Sequence, residues 1–169
     1  MTMLYHGTTT QRAIMVAVRG ALLSNWDRQI EELRQSYIEN PSRKFEDDYP
    51  GKTIEQVALE WQSKLYGEHE METRVKSLSV AKTIGPTISY AKNILGEEKN
   101  LGGLVLGIEL SDFQIADLSP IYGGGDIVYI PRILSIVTLK EIHLSPKATE
   151  NKKEIIKAFK KYKPAYFLL

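Results

Sequence analysis

The chain has 169 residues, no cysteine, and 22 Lys plus Arg against 21 Asp plus Glu. That length suits a single domain able to bury a core without a staple, and the missing thiols exclude disulfide frameworks, thiolate chemistry and Cys-based zinc sites. A near-zero net charge gives no whole-molecule field toward nucleic acid or an anionic membrane. No run approaches the roughly 20 apolar residues of a membrane span, and the N-terminus lacks a signal-peptide pattern, so the expectation is a cytoplasmic protein with no membrane partner.

Residues 3–8 are predicted as a short strand. Thr8 and Gln11 have capping-box spacing, and a helix is expected from about Thr9 to Val18, with Gly20 as its C-cap. This puts a polar working site at a strand-to-helix turn, His6-Gly7-Thr8. Trp26, Ile30, Leu33 and Tyr37 recur at helical spacing, as do Ile54, Val57, Ala58, Trp61 and Leu65; both stripes are expected to pack as core. The residues between them, 40–51, read as a loop.

Arg74 to Ser79 alternates like a strand, with Ser77 and Ser79 on one face and Leu78 on the other. It leads through Gly85 and Pro86 into a helix ending near Gly96, with Tyr90 one turn in. Gly103 to Leu110 is predicted as a buried central strand, Asp126 to Ile130 as another, and Leu134 to Leu144 as one or two more. Asn151 with Glu154 starts a last helix, whose Ile155, Ile156, Phe159 and Tyr162 form an apolar stripe before Pro164. Lys157, Lys160, Lys161 and Lys163 gather at its end, where they complement the helix dipole. Helices early and strands late, without βαβ alternation, argue for an α+β domain over residues 1–169, with 26–72 as a helical insertion.

No GxGxxG opens a helix after a strand, and no GxxxxGK[ST], GxSxG or HExxH occurs. His6, His69 and His143 are dispersed, so no metal is expected; His143, alternating with Ile142 and Leu144, is expected to face solvent. A histidine at the end of an N-terminal strand, followed by glycine and a capped helix, offers an imidazole suited to recognising a sugar or phosphate.

The order Leu4-Tyr5-His6-Gly7-Thr8, then Val75-Lys76-Ser77-Leu78-Ser79, Pro86-Thr87-Ile88-Ser89-Tyr90-Ala91, Leu104 to Leu110, Gly125-Asp126-Ile127-Val128-Tyr129-Ile130-Pro131 and Leu139-Lys140-Glu141-Ile142 resembles the ADP-ribosyltransferase superfamily. The likeness is to the diphtheria-toxin and PARP-like branch, with a histidine, an aromatic or serine-bearing middle motif and a late acidic residue. It covers residues 3–20 and about 74–144, not the helical segment between.

The resemblance implies a split mixed β-sheet with peripheral helices, holding NAD+ as substrate in a cleft with no metal. His6 would hydrogen-bond a ribose hydroxyl and Gly7 would leave room for the dinucleotide. Thr8 would add a contact or cap the helix. Ser77, Ser79 and Tyr90 would line the cleft. Asp126 is preferred as the late carboxylate that stabilises positive charge on the ribose as nicotinamide leaves, ahead of Glu141 in a closing strand and of Glu109, which reads as a buried structural carboxylate. Relatives mostly carry glutamate there. The implied activity is cleavage of the nicotinamide glycosidic bond with transfer of ADP-ribose to a protein, a nucleic acid or water. The alternatives are a catalytically degenerate binding module and a toxin paired with an antitoxin.

Overall fold

A computed structural model describes residues 1–64, 77–89, 91, 102–118, 127–129 and 132–169. They fall into two compact units: Met1–Leu22 with Ser79–Ile130 and Leu134–Leu169, and Leu23–Leu78 with Pro131–Ile133.

The first unit opens with strand β1 (Thr2–Thr9), which is longer than predicted, and passes directly into helix α1 (Thr10–Arg19). The cap is Thr9 rather than Thr8: its hydroxyl accepts from the Arg12 N–H at 3.2 Å, while Thr8 is still paired in the strand. His6, Gly7 and Thr8 therefore lie within a strand and form no turn. Gly20 ends α1 as expected, at φ 85, a left-handed conformation that suits glycine. A short strand the sequence reading did not contain, β2 (Ala21–Leu23), follows.

The second unit holds α2 (Asn25–Glu39), capped by Ser24, and α4 (Ile54–Ser63), which begins with a capping box between Thr53 and Gln56. Ile30, Leu33, Val57 and Ala58 form its buried core, with Trp26, Phe45, Tyr49 and Ile54 packed against it. Most of both stripes thus packs as expected, but Trp61 is exposed, and Leu65 lies outside the described residues. The stretch read as a loop contains a one-turn helix, α3 (Phe45–Asp48). Its Phe45 ring reaches Tyr37 at 5.6 Å and Tyr49 at 5.2 Å, so aromatic contacts stabilise a turn too short to show a helical period.

In the first unit, β3 is only Val80–Ala81, and α5 is Gly85–Ser89. Ser77 to Ser79, which precede β3, belong to no strand, a correction to the strand predicted there. Burial still alternates, with Leu78 and Val80 buried and Ser77 and Ser79 not. Next come the buried strand β4 (Gly103–Leu110), the one-turn helix α6 (Asp112–Ala116), β5 (Ile127–Tyr129), β6 (Ile133–Ser135) and β7 (Leu139–Leu144). A 3-10 turn (Ala148–Asn151) precedes α7 (Lys152–Phe159), where Asn151 occupies the cap position without a side-chain cap bond. Strand β8 (Ala165–Leu168) ends the order.

The six-stranded sheet runs β5-β3-β1-β4-β7-β8; β2 and β6 make a two-stranded one. β7 is thus not the closing strand: β8 pairs parallel outside it. Register fixes the faces. His6 lies opposite Leu106, and Leu106 opposite Ile142; Tyr5 lies opposite Gly107, and Gly107 opposite Glu141. Leu4, Leu106, Ile142 and Leu144 are fully buried on the His6 face, and Ile155 and Phe159 of α7 are fully buried too. Burial of each such side chain contributes about 1.5–3 kcal/mol.

Candidate functional site

β1 is paired with β4 along all eight residues but with β3 only through Tyr5 and Ala81. Among the described residues no ladder pair joins β1 to β3 beyond Tyr5, so the sheet opens along His6 to Thr9 on that side. The imidazole of His6 spans the opening: its Nδ1 lies 2.8 Å from the Ser79 carbonyl oxygen. A carbonyl only accepts, so Nδ1 carries the proton and donates. Burial lowers the His6 pKa below the ordinary histidine range, and the Arg12 guanidinium lowers it further, against the opposing pull of the Ser79 carbonyl. A neutral ring with Nδ1–H committed presents Nε2 as a bare acceptor, the arrangement that receives an O–H donor such as a sugar hydroxyl.

Arg12 is a residue the sequence reading missed. It stands in the first turn of α1, whose start is set by the Thr9 cap, and its charge reaches His6. A cation in the first turn after the His6 strand was the available signal.

Of the other predicted residues, Gly7 and Thr8 follow His6 on β1, with Thr8 buried on the His6 face and Gly7 on the other. Ser79 joins the site through its carbonyl rather than its hydroxyl, and Ser77 lies two residues before it. Tyr90 and Asp126 lie outside the described residues. Ile127, the residue after Asp126, pairs with Ala81, and Ala81 with Tyr5, so β5 starts two strands from β1 on the side that opens.

Glu141 is on the face opposite His6 and is already engaged: its carboxylate is 2.9 Å from His143 Nε2, and its charge reaches Tyr5. Burial first, then that carboxylate, raises the Tyr5 pKa. His143 does not face solvent, because the Phe167 ring of β8 stacks on it at 4.8 Å. Alternation implied an outward histidine, but β8 supplies a cover that the pattern within β7 does not contain. Gly107 sits in the middle of this cluster, where a Cβ would come within 2.9 Å of Met3 Cε, 3.0 Å of Glu141 Cβ and 3.2 Å of Tyr5 Cε1. Glu109 is half-buried beside Lys140 at 3.6 Å, also on the Tyr5 face, rather than fully buried. Among the described residues, no group of three or more His, Cys, Asp or Glu side chains converges as a metal site would require, and no helix is long and apolar enough to cross a membrane.

An α+β chain with this sheet, opened beside an N-terminal histidine strand, has a fold of the ADP-ribosyltransferase type. It is similar to three solved structures of DarT from Thermus sp. 2.9. The complex with NAD+ matches at TM-score 0.51 and 10% identity, covering 99% of this chain and 95% of that one. The complex with ADP-ribosylated single-stranded DNA gives 0.51, 10%, 99% and 94%. The complex with carba-NAD+ gives 0.50, 11%, 99% and 95%. No protein-family model matches the chain, and no curated protein matches it.

Proposed function

We propose that this protein is an NAD+-dependent ADP-ribosyltransferase, a glycosyltransferase acting at the opening in the sheet beside His6. The observation that carries the reading is the neutral imidazole held by Ser79 at the sheet opening, in a fold similar to that of a protein solved with NAD+ and with carba-NAD+. In this reading His6 Nε2 accepts a hydrogen bond from the ribose next to nicotinamide, and Arg12 pairs with the pyrophosphate. Gly7, Thr8 and Ser79 line the same opening, and Tyr90 packs over a ring of the dinucleotide.

The bond between the ribose C1′ and the nicotinamide nitrogen breaks with its electron pair going to nicotinamide, which leaves neutral. Positive charge develops on the ribose, and the Asp126 carboxylate, one residue before Ile127, stabilises it. The acceptor's nucleophilic atom then bonds to C1′ and gives up its proton to that carboxylate or to solvent. Glu141 is assigned no part in this, since its strand face and its partners Tyr5 and His143 are elsewhere.

The aspartate, one methylene shorter than the glutamate usual in relatives, is what keeps a second reading open: a non-catalytic module that binds NAD+ without turning it over. Calorimetric titration with NAD+ tests the binding half directly. Wild type binds, His6→Ala weakens binding about tenfold, as loss of one good hydrogen bond implies, and Arg12→Gln weakens it too. No heat of binding from a folded wild type sinks both readings. If the protein is a toxin held by an antitoxin, its expression arrests growth and Asp126→Ala relieves the arrest.

A further inference from the structure

The chain is nearly neutral, yet its charge is not evenly spread. From Ser145 to Lys163 there are seven lysines and two glutamates, so this stretch is strongly cationic and the remainder is net negative. Six of the seven, Lys152, Lys153, Lys157, Lys160, Lys161 and Lys163, are exposed. None of the seven forms an ion pair among the described residues. Ile155 and Phe159 bury the opposite side of α7 against the body of this unit, where α7 packs on α1. Lys153 and Lys157 then lie four residues apart on the outward side of α7, about 5–6 Å from each other, and Lys160, Lys161 and Lys163 follow in the turn after it. Unpaired like charges at that spacing repel, a cost that an anionic partner with regularly repeating charge would remove.

These lysines lead to a cleft of about 410 Å³ lined by Gly20, Val137, Lys161 and Tyr162, a volume in the range of small-ligand sites. Tyr162 is fixed there. Its hydroxyl donates to the Ala17 carbonyl at 3.1 Å, and the Lys161 ammonium lies 4.9 Å from its ring centre. An immobilised aromatic ring beside exposed lysines is the combination that takes an unpaired base with its flanking phosphates. A duplex would not offer its base faces to Tyr162.

From Gly20 in this cleft, at the C-terminal end of α1, to Arg12 in its first turn is about 12 Å, eight residues at 1.5 Å each. We infer that the lysines of α7 and of the turn after it, with the Tyr162 cleft, form an anchoring site for single-stranded nucleic acid, separate from the His6 opening. As the place where an acceptor strand is held for transfer it rests on the transferase reading above, whereas the binding itself stands without it.

The test is fluorescence anisotropy with a labelled oligothymidylate of about 15 nucleotides, titrated between about 50 and 200 mM salt. Wild type binds, and affinity falls with salt. The triple variant Lys153→Gln, Lys157→Gln, Lys161→Gln loses about tenfold or more at low salt. Its slope of log affinity against log salt shrinks by about 2, at about 0.7 for each phosphate that no longer meets a lysine. Tyr162→Leu weakens binding roughly tenfold and Tyr162→Phe does not, with circular dichroism confirming that each variant is folded. Lys44→Gln with Lys64→Gln, in the helical unit, leaves binding unchanged.

The inference is overturned if wild type fails to bind at about 50 mM salt, if the triple variant binds with the wild-type slope, or if polyglutamate displaces the protein as well as unlabelled oligonucleotide does. Nicotinamide release measured on the same preparations separates the two claims. Binding without release leaves this site standing and removes the transferase reading; release without binding does the reverse.

Discussion

Substituting Gly102 by alanine should be among the most damaging single changes outside the site, and the cost can be built up from its surroundings. Gly102 has φ 72, in the left-handed region, where a residue with a Cβ costs about 1–2 kcal/mol. The added Cβ would also stand 2.7 Å from the Ala148 backbone nitrogen and 2.9 Å from both Lys147 Cβ and Ser145 Oγ. Those atoms cannot easily retreat: Ala148 N–H donates to Ser145 Oγ at 3.3 Å, and Thr149 N–H to the Ser145 carbonyl at 3.1 Å. Overpacking of this kind costs about 1–3 kcal/mol.

Any shift of Gly102 itself strains its carbonyl, which accepts from both the N–H and the hydroxyl of Thr10 at 3.0 Å and so holds the start of α1. The total is about 2–5 kcal/mol against a domain stability of about 5–15 kcal/mol. At about 2–4 °C per kcal/mol for a chain of this size, Tm should fall by about 4–20 °C in a thermal melt followed by circular dichroism. A Tm within about 2 °C of wild type would refute the reasoning, since it would mean that the turn at Ser145 to Ala148 yields freely.

The remaining predictions concern charge and conformation. Because the fold lowers the His6 pKa, the unfolded chain takes up a proton that folded His6 refuses once pH drops below about 6.5. The His6 contribution is complete above that pH and is lost as pH falls toward the lowered folded value; urea melts across pH 5–7 should show a steeper decline for wild type than for His6→Gln, and equal slopes would remove the buried-imidazole account. Asp27 accepts from Arg132 at 2.8–2.9 Å and from Ser24 Oγ at 2.6 Å. With the Arg132 side chain 54% exposed and the Asp27 side chain 11%, Asp27→Ala should cost about 1–2 kcal/mol by urea unfolding rather than the 3–5 of a fully buried pair. Lys163 has φ 52 without being glycine, so Lys163→Gly should raise Tm by a few degrees; a fall would show that its side chain makes a contact worth more than the strain.

The fold was legible where a pattern was long or chemically marked. The eight-residue apolar run at Gly103 to Leu110 became the central strand, and Gly20 capped α1 in the left-handed conformation. Short elements were not legible. β2 and β8 have three and four residues and exist because a neighbouring strand waits for them, information that periodicity within the segment cannot hold. Ser111 and Gln114 do make a capping box for α6, so that signal was present and unread. In the site, His6 was visible from its type and place. Its protonation state was not, because it depends on the Ser79 carbonyl, 73 residues away. The separation of Glu141 from His6 likewise needs the register of three strands, which one sequence does not display.

The central claim is that this chain breaks the nicotinamide bond of NAD+ at the opening beside His6, with Asp126 as the carboxylate. Chromatographic measurement of nicotinamide release tests it most directly, with wild type, His6→Ala, Asp126→Ala and Glu141→Gln compared at equal folded concentration and with cell lysate supplied as acceptor. The account predicts release by wild type, loss of about a hundredfold or more in Asp126→Ala, a marked loss in His6→Ala, and near-normal release in Glu141→Gln. Full activity in Asp126→Ala, or its loss in a folded Glu141→Gln, would contradict it.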